Sequence, residues 1–208
     1  MSAEYDTNMT SAYIKEAFEP MNLEHAKNVV LSPDSTDTEK FQKETDFIVS
    51  FLRQQGLVKP EHRVLDFGCG MGRVSKALID TIGCYVVGTD ISYRMLNYAE
   101  QYVADPRFVA QNEFEGQFDA ALAILVLQHV ENPEFEIEKL YTALTPGAPL
   151  ILVNEEKRFV PSAVDRNGFV IWSDDGADIA ALLKKRFTLL GRYPYYGHGR
   201  ELLSVWKK

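Results

Sequence analysis

The spacing of apolar and polar residues changes partway along the chain, and each pattern predicts a different kind of structure. Residues 1 to about 38 are polar and irregular, with one short helix expected near Tyr13–Phe18. Between Thr38 and Gln55 apolar residues recur at helical spacing, and Gly56 is placed to end that helix. The N-terminal part is therefore expected to be an irregular segment followed by one amphipathic helix.

From Arg63 onward short apolar strands alternate with amphipathic helices. Such alternation favours a parallel sheet wrapped by helices. The expected strands are Val64–Phe67, Cys84–Thr89, Arg107–Ala110, Phe118–Leu127 and Leu150–Val153. The expected helices are Val74–Thr81, a helix capped by Ser92 that runs to about Val103, and Pro133–Leu144.

The C-terminal part follows another pattern. A helix expected at Asp178–Phe187 precedes two strands, Thr188–Tyr196 and Glu201–Lys207, joined by a glycine-rich turn. A connection this short allows only an antiparallel pair. Lys157–Asp175 is a long connection without periodicity, and connections of this kind beside parallel strands often contribute to binding.

Composition narrows the class of protein. A chain of 208 residues suits one compact domain, and its net charge of -8 argues against a polyanionic nucleic acid as the main partner. Cys69 and Cys84 are expected to be reduced thiols, because Cys69 lies within a glycine-rich segment. The N-terminus lacks a signal-peptide pattern and no apolar run is long enough to cross a bilayer, so we expect a cytoplasmic protein without a membrane partner.

The segment Asp66–Arg73, which follows the first strand, reads Asp-Phe-Gly-Cys-Gly-Met-Gly-Arg. Glycines let the backbone turn tightly and let a ligand approach it, and the next helix offers free N–H groups. Asp90 ends the second strand 22 positions after Gly68, where an acid can accept hydrogen bonds from both ribose hydroxyls. The alternative is that Asp90 only caps the following helix, although Ser92 is the better cap. This ordered set predicts a nucleoside site.

The same segment narrows the kind of nucleoside. A dinucleotide fold needs glycine at the sixth loop position, where Arg73 stands, and this disfavours a nicotinamide oxidoreductase. Asp66 would repel a pyrophosphate, whereas it suits an ammonium or a sulfonium. A P-loop is excluded because no Gly-Lys-Ser or Gly-Lys-Thr follows. The sequence thus prefers a cationic, phosphate-free adenosine ligand.

Several motifs, in the correct order, resemble those of the class I S-adenosylmethionine-dependent methyltransferases. Val64–Arg73 resembles their first motif, and Val87–Ser92, together with Met95 and Leu96, resembles their second. Phe118–Val130 resembles their fourth-strand motif, and Leu144–Gly147 resembles the turn before their fifth strand. The resemblance covers roughly Val58–Glu155. It implies a Rossmann-like α/β fold: a seven-stranded, mostly parallel sheet with helices on both faces and a C-terminal antiparallel hairpin. Residues 1–57 would be an N-terminal helical cap that covers the acceptor, and 58–208 the methyltransferase domain, within one compact unit.

The resemblance also implies which residues bind S-adenosylmethionine, whose product is S-adenosylhomocysteine. Gly68 and Gly70 would face the methionine part through their backbone, and Asp66 would support that end electrostatically. Asp90 would hold the ribose, and Ile91 would pack on the adenine.

Further positions in the motifs extend this site. Asn112 stands where many members have an aspartate that reads the adenine amino group, and Glu113 lies beside it. Ile124 and Leu125 would lie near the methionine part. Arg73 could meet the methionine carboxylate, but we expect it to be a solvated residue in the first turn of its helix.

The methyl acceptor is less well defined by the sequence. His129 follows the fourth strand and could act as a base, since imidazole takes a proton near neutral pH, or could be structural. Glu155, after the fifth strand, could bind a cationic acceptor, take a proton, or be merely solvated. No Asn-Pro-Pro-Tyr type of motif follows the fourth strand, which argues against methylation of flipped bases.

Two kinds of function follow from these patterns. The first is an enzyme that transfers a methyl group by direct displacement to an oxygen or nitrogen of a small-molecule acceptor, without a metal. The alternative is a non-catalytic S-adenosylmethionine-binding module that acts as a regulator or partner. The sequence leaves the oligomeric state open.

Overall fold

The computed structural model describes residues 18–29, 38–130, 132–154, 178–196 and 202–208. The helices in these ranges are α1 (Leu23–Val29), α2 (Thr38–Gln54), α3 (Arg73–Thr81), α4 (Tyr93–Val103), α5 (Pro133–Ala143) and α6 (Ile179–Lys184). The strands are β1 (Arg63–Phe67), β2 (Tyr85–Thr89), β3 (Phe108–Gln111), β4 (Ala120–Ile124), β5 (Pro149–Val153), β6 (Thr188–Tyr193) and β7 (Leu203–Lys207). None of the helices in these ranges is long and apolar enough to cross a membrane.

The seven strands form one sheet in the order β3-β2-β1-β4-β5-β7-β6. Strands β1 to β5 pair in parallel, whereas β7 pairs antiparallel with both β5 and β6. The fold class expected from the sequence is confirmed. The order of the strands reverses between β1 and β4, and open parallel sheets bind ligands at the carboxyl side of such a reversal.

Helices cover both faces of the sheet. Alternate residues of each central strand face opposite layers, so Leu122 and Ile151 pack beneath α2, α3 and α4, and Ala121 and Leu150 pack beneath α5 and α6. The central strands are therefore apolar throughout, as is typical of parallel strands buried on both faces.

The ends of several helices follow from local sequence. Ser92 Oγ accepts a hydrogen bond from Met95 N at 3.1 Å, which confirms Ser92 as the cap of α4. Asn132 caps α5 in the same way, with Pro133 in the first turn. Gly56 follows α2 with φ 63°, a left-handed conformation that suits the residue after a helix.

The structure differs from the sequence prediction in three places. Residues 23–29 form α1 rather than an irregular segment, because buried Ala26 packs there against Met71 and Met95. Strand β4 is shorter than the predicted Phe118–Leu127, since Leu125 takes φ 59° and ends it. Helix α6 is likewise shorter than Asp178–Phe187. The helix predicted near Tyr13–Phe18 and the Lys157–Asp175 connection lie mostly or wholly outside the described residues.

Candidate functional site

The glycine loop, Gly68–Gly72, is a tight turn at the carboxyl end of β1. Gly68, Gly70 and Gly72 have φ values of 73°, 54° and 80°, which side chains other than glycine adopt at a cost. Cys69 N donates to the carbonyl of the last residue of β2 at 2.8 Å. Gly70 N donates to Asp90 Oδ2 at 2.9 Å. The loop is thus attached to the end of β2 through both main chain and side chain.

Two of the loop glycines also leave no room for a side chain. A Cβ atom on Gly68 would lie 2.3 Å from Val126 Cγ2, and one on Gly72 would lie 2.7 Å from Val103 Cγ2. Gly72 therefore allows α3 to begin against α4. Gly68 allows the segment after β4 to pack on the loop through the Val126 side chain. Val126 was not singled out from the sequence.

Asp90 lies between the glycine loop and α4. Its Oδ2 accepts from Gly70 N, and its Oδ1 accepts from Ser92 N at 2.9 Å. Each carboxylate oxygen can accept two hydrogen bonds, so each retains capacity for another donor. Burial raises the pKa of Asp90 to about 6, and these two hydrogen bonds oppose that rise. The geometry suits a carboxylate that accepts from two neighbouring hydroxyl groups.

Beside Asp90 the cleft has an apolar surface. The side chain of Ile91 is 46% exposed although it is apolar. Asn112 Nδ2 donates to the Asp90 carbonyl at 3.0 Å, and its Oδ1 accepts from Tyr93 Oη at 3.3 Å. Glu113 is exposed. An exposed aliphatic side chain next to an oriented amide is suited to a flat, polar-edged ring such as a purine.

Asp66 lies beneath the loop and not at its surface. It is 2% exposed, and its Oδ2 accepts from Ser75 Oγ at 2.6 Å. Burial raises the pKa of Asp66, whereas the Ser75 hydrogen bond and the charge of Arg73 lower it. At this depth Asp66 can act on a cation above the loop only through its electric field.

Arg73 differs from the prediction of a solvated residue, which is wrong. Its side chain is 6% exposed because α2 packs over the start of α3. Its Nη1 donates to Thr45 Oγ1 at 2.8 Å, and the Tyr195 side chain interacts with both Arg73 and Glu44. Burial and the Glu44 charge raise the pKa of Tyr195 to about 12. We call Arg73, Glu44, Thr45 and Tyr195 the Arg73 cluster; it joins the glycine loop to α2 and to the segment after β6.

The segment after β4 turns sharply toward the loop. Ile124 is half-buried at the end of the strand, and Leu125 follows in the left-handed region with φ 59°. Leu125 N donates to Val153 O at 2.7 Å, which holds this turn on β5. Left-handed backbone at a non-glycine residue is uncommon and is concentrated at functional sites. Ile124 and Leu125 thus lie at the strand end nearest the loop.

His129 lies at the end of a short 3₁₀ turn, Leu127–His129, at the same edge of the sheet. Its ring meets the Phe18 ring edge-on, with centroids 5.2 Å apart. Buried Asn154, which follows β5, accepts from Gln128 N through Oδ1 at 3.0 Å. Glu155 lies outside the described residues.

Residues Phe18–Pro20, which we call the strap, were not singled out from the sequence. Glu19 Oε2 accepts from Ser92 Oγ at 2.8 Å, and Glu19 Oε1 lies 3.2 Å from Arg94 Nε. The strap therefore contacts the start of α4 as well as His129. An N-terminal segment of mixed polar composition carries no periodic signal that would reveal such contacts.

The groups around the loop suit a nucleoside with a cationic tail. Carboxylates surround the loop at Asp66, Asp90 and Glu19, whereas the Arg73 guanidinium is turned away into its cluster. A phosphate would meet like charge there, but a sulfonium or ammonium would be favoured. Within the ranges that the structure describes, His, Cys, Asp and Glu side chains form no group of three or more that could hold a metal ion.

Comparisons with known proteins agree with this geometry. Residues 65–150 match a family model described as a methyltransferase domain. A ubiquinone biosynthesis O-methyltransferase of Coxiella burnetii is 29% identical over 120 residues, which are 53% of this chain and 50% of that protein. A malonyl-[acyl-carrier protein] O-methyltransferase of Enterobacter lignolyticus is 35% identical over 94 residues, 42% of this chain and 37% of that protein. The chain thus spans half or less of the length of these curated relatives.

A solved structure matches over nearly the whole chain. The N-methyltransferase NodS from Bradyrhizobium japonicum, in complex with S-adenosyl-l-homocysteine, has a TM-score of 0.66 and 17% sequence identity. The match covers 96% of this chain and 98% of that one. At this identity the likeness establishes the fold.

Proposed function

We propose that this chain, which carries a methyltransferase domain of the class I S-adenosylmethionine-dependent family, transfers a methyl group to an oxygen or nitrogen of a small-molecule acceptor. The observation that carries the proposal is the arrangement of the glycine loop and Asp90 at the reversal of strand order. The Asp90 carboxylate there is held by two backbone N–H groups and can still accept from two hydroxyls.

In this proposal S-adenosylmethionine is the cofactor, and it supplies a methyl group on a positively charged sulfur. Asp90 binds the ribose and Ile91 packs on the adenine, with Asn112 or Glu113 accepting from the adenine amino group. Support comes from the exposed Ile91 side chain and from the amide of Asn112, which is oriented beside Asp90.

The methionine end would lie against the backbone of Gly68 and Gly70, with Ile124 and Leu125 on its other side. Asp66 would favour the positive charge from below the loop. What supports this is the left-handed turn at Leu125, which brings the segment after β4 onto the loop. The residues thereby align the cofactor and exclude water, which is most of what direct displacement requires.

His129 is the proposed base for an acceptor that must lose a proton. It lies at the carboxyl edge beside the segment after β4, and the Phe18 ring restricts its orientation. Glu155 remains a second candidate, as base or as a binding group for a cationic acceptor. The two curated relatives described above are O-methyltransferases by name, so oxygen acceptors are the first to test; amines are tested beside them, because another relative is a phosphoethanolamine N-methyltransferase.

Three further proposals concern the chain as a whole. Residues 1–57 act as a cap over the acceptor, which the attachment of α2 to the glycine loop through the Arg73 cluster supports. The acceptor is a small molecule and not nucleic acid, in keeping with the net charge of -8. The protein works in the cytoplasm, as its two free, buried cysteines favour.

The test is turnover. Mass spectrometry of the purified protein should reveal a bound adenosyl ligand, and wild-type protein should form S-adenosylhomocysteine with a member of a panel of phenols, carboxylates and amines. With that acceptor, His129→Gln should lower kcat by about 10²–10⁴-fold at saturating S-adenosylmethionine. An unchanged kcat would assign His129 a structural role. Cofactor binding without turnover across the panel would favour a non-catalytic binding module.

A further inference from the structure

The strap, Phe18–Pro20, crosses the carboxyl edge of the sheet. At one end the Phe18 ring packs on His129, which follows β4. At the other, Glu19 accepts from Ser92 Oγ and pairs with Arg94, both of which follow β2. Because β1 lies between β2 and β4, the strap passes over the glycine loop.

The strap is held by the helix that follows it and by its own Glu19 side chain, and these two attachments differ. On its C-terminal side α1 is anchored, because buried Ala26 packs against Met71 of the loop and Met95 of α4. The Glu19 contact lies nearer the surface, since the Arg94 side chain is 60% exposed and that of Glu19 25% exposed, although Ser92 is buried. The contact involves one side chain of the strap and lies partly at the surface, so it can break without disturbing the core, at a cost near that of one charge-assisted hydrogen bond.

The proposed cofactor would lie under this crossing. Its ribose at Asp90 is next to Ser92, to which Glu19 is bonded, and its methionine end at Gly68 and Gly70 is next to the segment that leads to His129. A ligand that extends from Asp90 to Gly68 and Gly70 would lie between the strap and the glycine loop, roughly parallel to the strap. With the strap in this position, part of such a ligand would be covered.

We propose that the strap is a movable wall of the cofactor cleft, that the Glu19 contact with Ser92 and Arg94 holds it closed over the bound cofactor, and that its opening limits cofactor exchange. This inference rests on the proposed function, since it takes S-adenosylmethionine as the ligand. Phe18 and Glu19 then belong to the cofactor site as positioning residues. Product release requires the Glu19 contact to break.

The test measures the dissociation rate of S-adenosylhomocysteine from the whole chain by stopped-flow displacement. Glu19→Gln should raise this rate about tenfold, which corresponds to the loss of one charge-assisted contact, and should also speed association. Glu24→Gln is the matched control, because Glu24 is an exposed carboxylate on α1 away from the contact; its rates should equal those of the wild type.

Arg94→Gln provides a second variant that leaves the Ser92 cap intact. It should act in the same direction, and the double variant should exceed Glu19→Gln only slightly, because both changes remove one shared contact. In hydrogen–deuterium exchange, peptides spanning residues 18–26 should become more protected when S-adenosylhomocysteine is added. Thermal unfolding serves as the control for folding.

The outcomes separate the two proposals. A wild-type protein that binds no S-adenosylhomocysteine would contradict the proposed function. Binding with dissociation rates within twofold of wild type for both Glu19→Gln and Arg94→Gln, and with no added protection at residues 18–26, would overturn the strap proposal alone.

Discussion

The two sides of the cleft are built in different ways. On the cofactor side, at the ends of β1 and β2, the geometry arises within about 25 consecutive residues: three glycines with positive φ, the Asp90 carboxylate and the Ser92 cap. On the acceptor side, at the ends of β4 and β5, distant segments must come together, as Gln128 meets Asn154, and α2 reaches the cofactor side only through the contact of Thr45 with Arg73. A contiguous motif can thus specify a cofactor, whereas the acceptor pocket depends on how the whole chain packs.

The largest expected effect tests whether the Arg73 cluster holds the two sides together. Arg73→Met should destabilise the protein by about 3–5 kcal/mol, because it removes the buried hydrogen bond to Thr45 and takes a positive charge away from buried Asp66. Urea denaturation measures this loss. Arg53→Met, at an exposed position on α2, should change stability by less than about 0.5 kcal/mol. A loss below about 1 kcal/mol for Arg73→Met would mean that the cluster contributes little.

The next effect concerns the contact between the loop and the segment after β4. Gly68→Ala should cost about 2–5 kcal/mol, which combines about 1–2 for the positive φ with about 1–3 for the overlap with Val126. Gly56→Ala isolates the first contribution, because Gly56 has a similar φ with open space around it. Adding Val126→Ala to Gly68→Ala should recover part of the loss. If Gly68→Ala costs no more than Gly56→Ala, the loop is not packed as described.

Asp90 tests the cofactor side alone. Asp90→Asn should weaken binding of S-adenosylhomocysteine by about 1–3 kcal/mol through the loss of charge-assisted hydrogen bonds, as calorimetry would measure. Stability should change by no more than about 1 kcal/mol, because removing the buried negative charge stabilises the protein while losing the acceptor for one backbone N–H destabilises it. Asp80→Asn, on the exposed side of α3, is the control. Unchanged affinity would show that Asp90 does not hold the ribose.

The smallest effect is a pH dependence of binding. The pKa of Asp90 is raised to about 6 by burial, and ribose hydroxyls donate to the ionised form. Affinity for S-adenosylhomocysteine should therefore be full above pH 7 and fall as pH drops through 6. Asp66, Glu19 and His129 also lie around the site. The Asp90 contribution is therefore isolated by the difference in binding free energy between wild type and Asp90→Asn at each pH. A difference that stays constant from pH 7.5 to 5 would contradict the assignment.

Most of the fold could be predicted from the sequence, because its elements have strong local signals. Periodicity located α2 and the five parallel strands, and Ser92 and Pro133 marked helix starts correctly. Helix α1 was missed although Leu23, Ala26 and Val29 lie three residues apart, because seven residues give a weak periodic signal and the helix is stabilised by the packing of Ala26. The length of β4 was overestimated because a positive φ at Leu125 cannot be inferred from an apolar run.

The site was predicted in part. The residues that were placed correctly lie on the cofactor side, and those that were missed are held by contacts between distant segments. The glycines and Asp90 lie as expected, since a motif encodes their backbone geometry. Arg73 was placed wrongly because its burial depends on α2, although a signal existed: Glu44 and Thr45 share a helix face with Ile48. The contacts of Val126 and Glu19 arise only when segments far apart in sequence come together.

The central claim is that the loop and Asp90 select a cationic, phosphate-free adenosine cofactor. Calorimetric titration of the wild-type chain with S-adenosylhomocysteine and, separately, with NADH tests it most directly. We predict saturable binding of S-adenosylhomocysteine at one site and no measurable binding of NADH. Tight binding of NADH with no binding of S-adenosylhomocysteine would contradict the account.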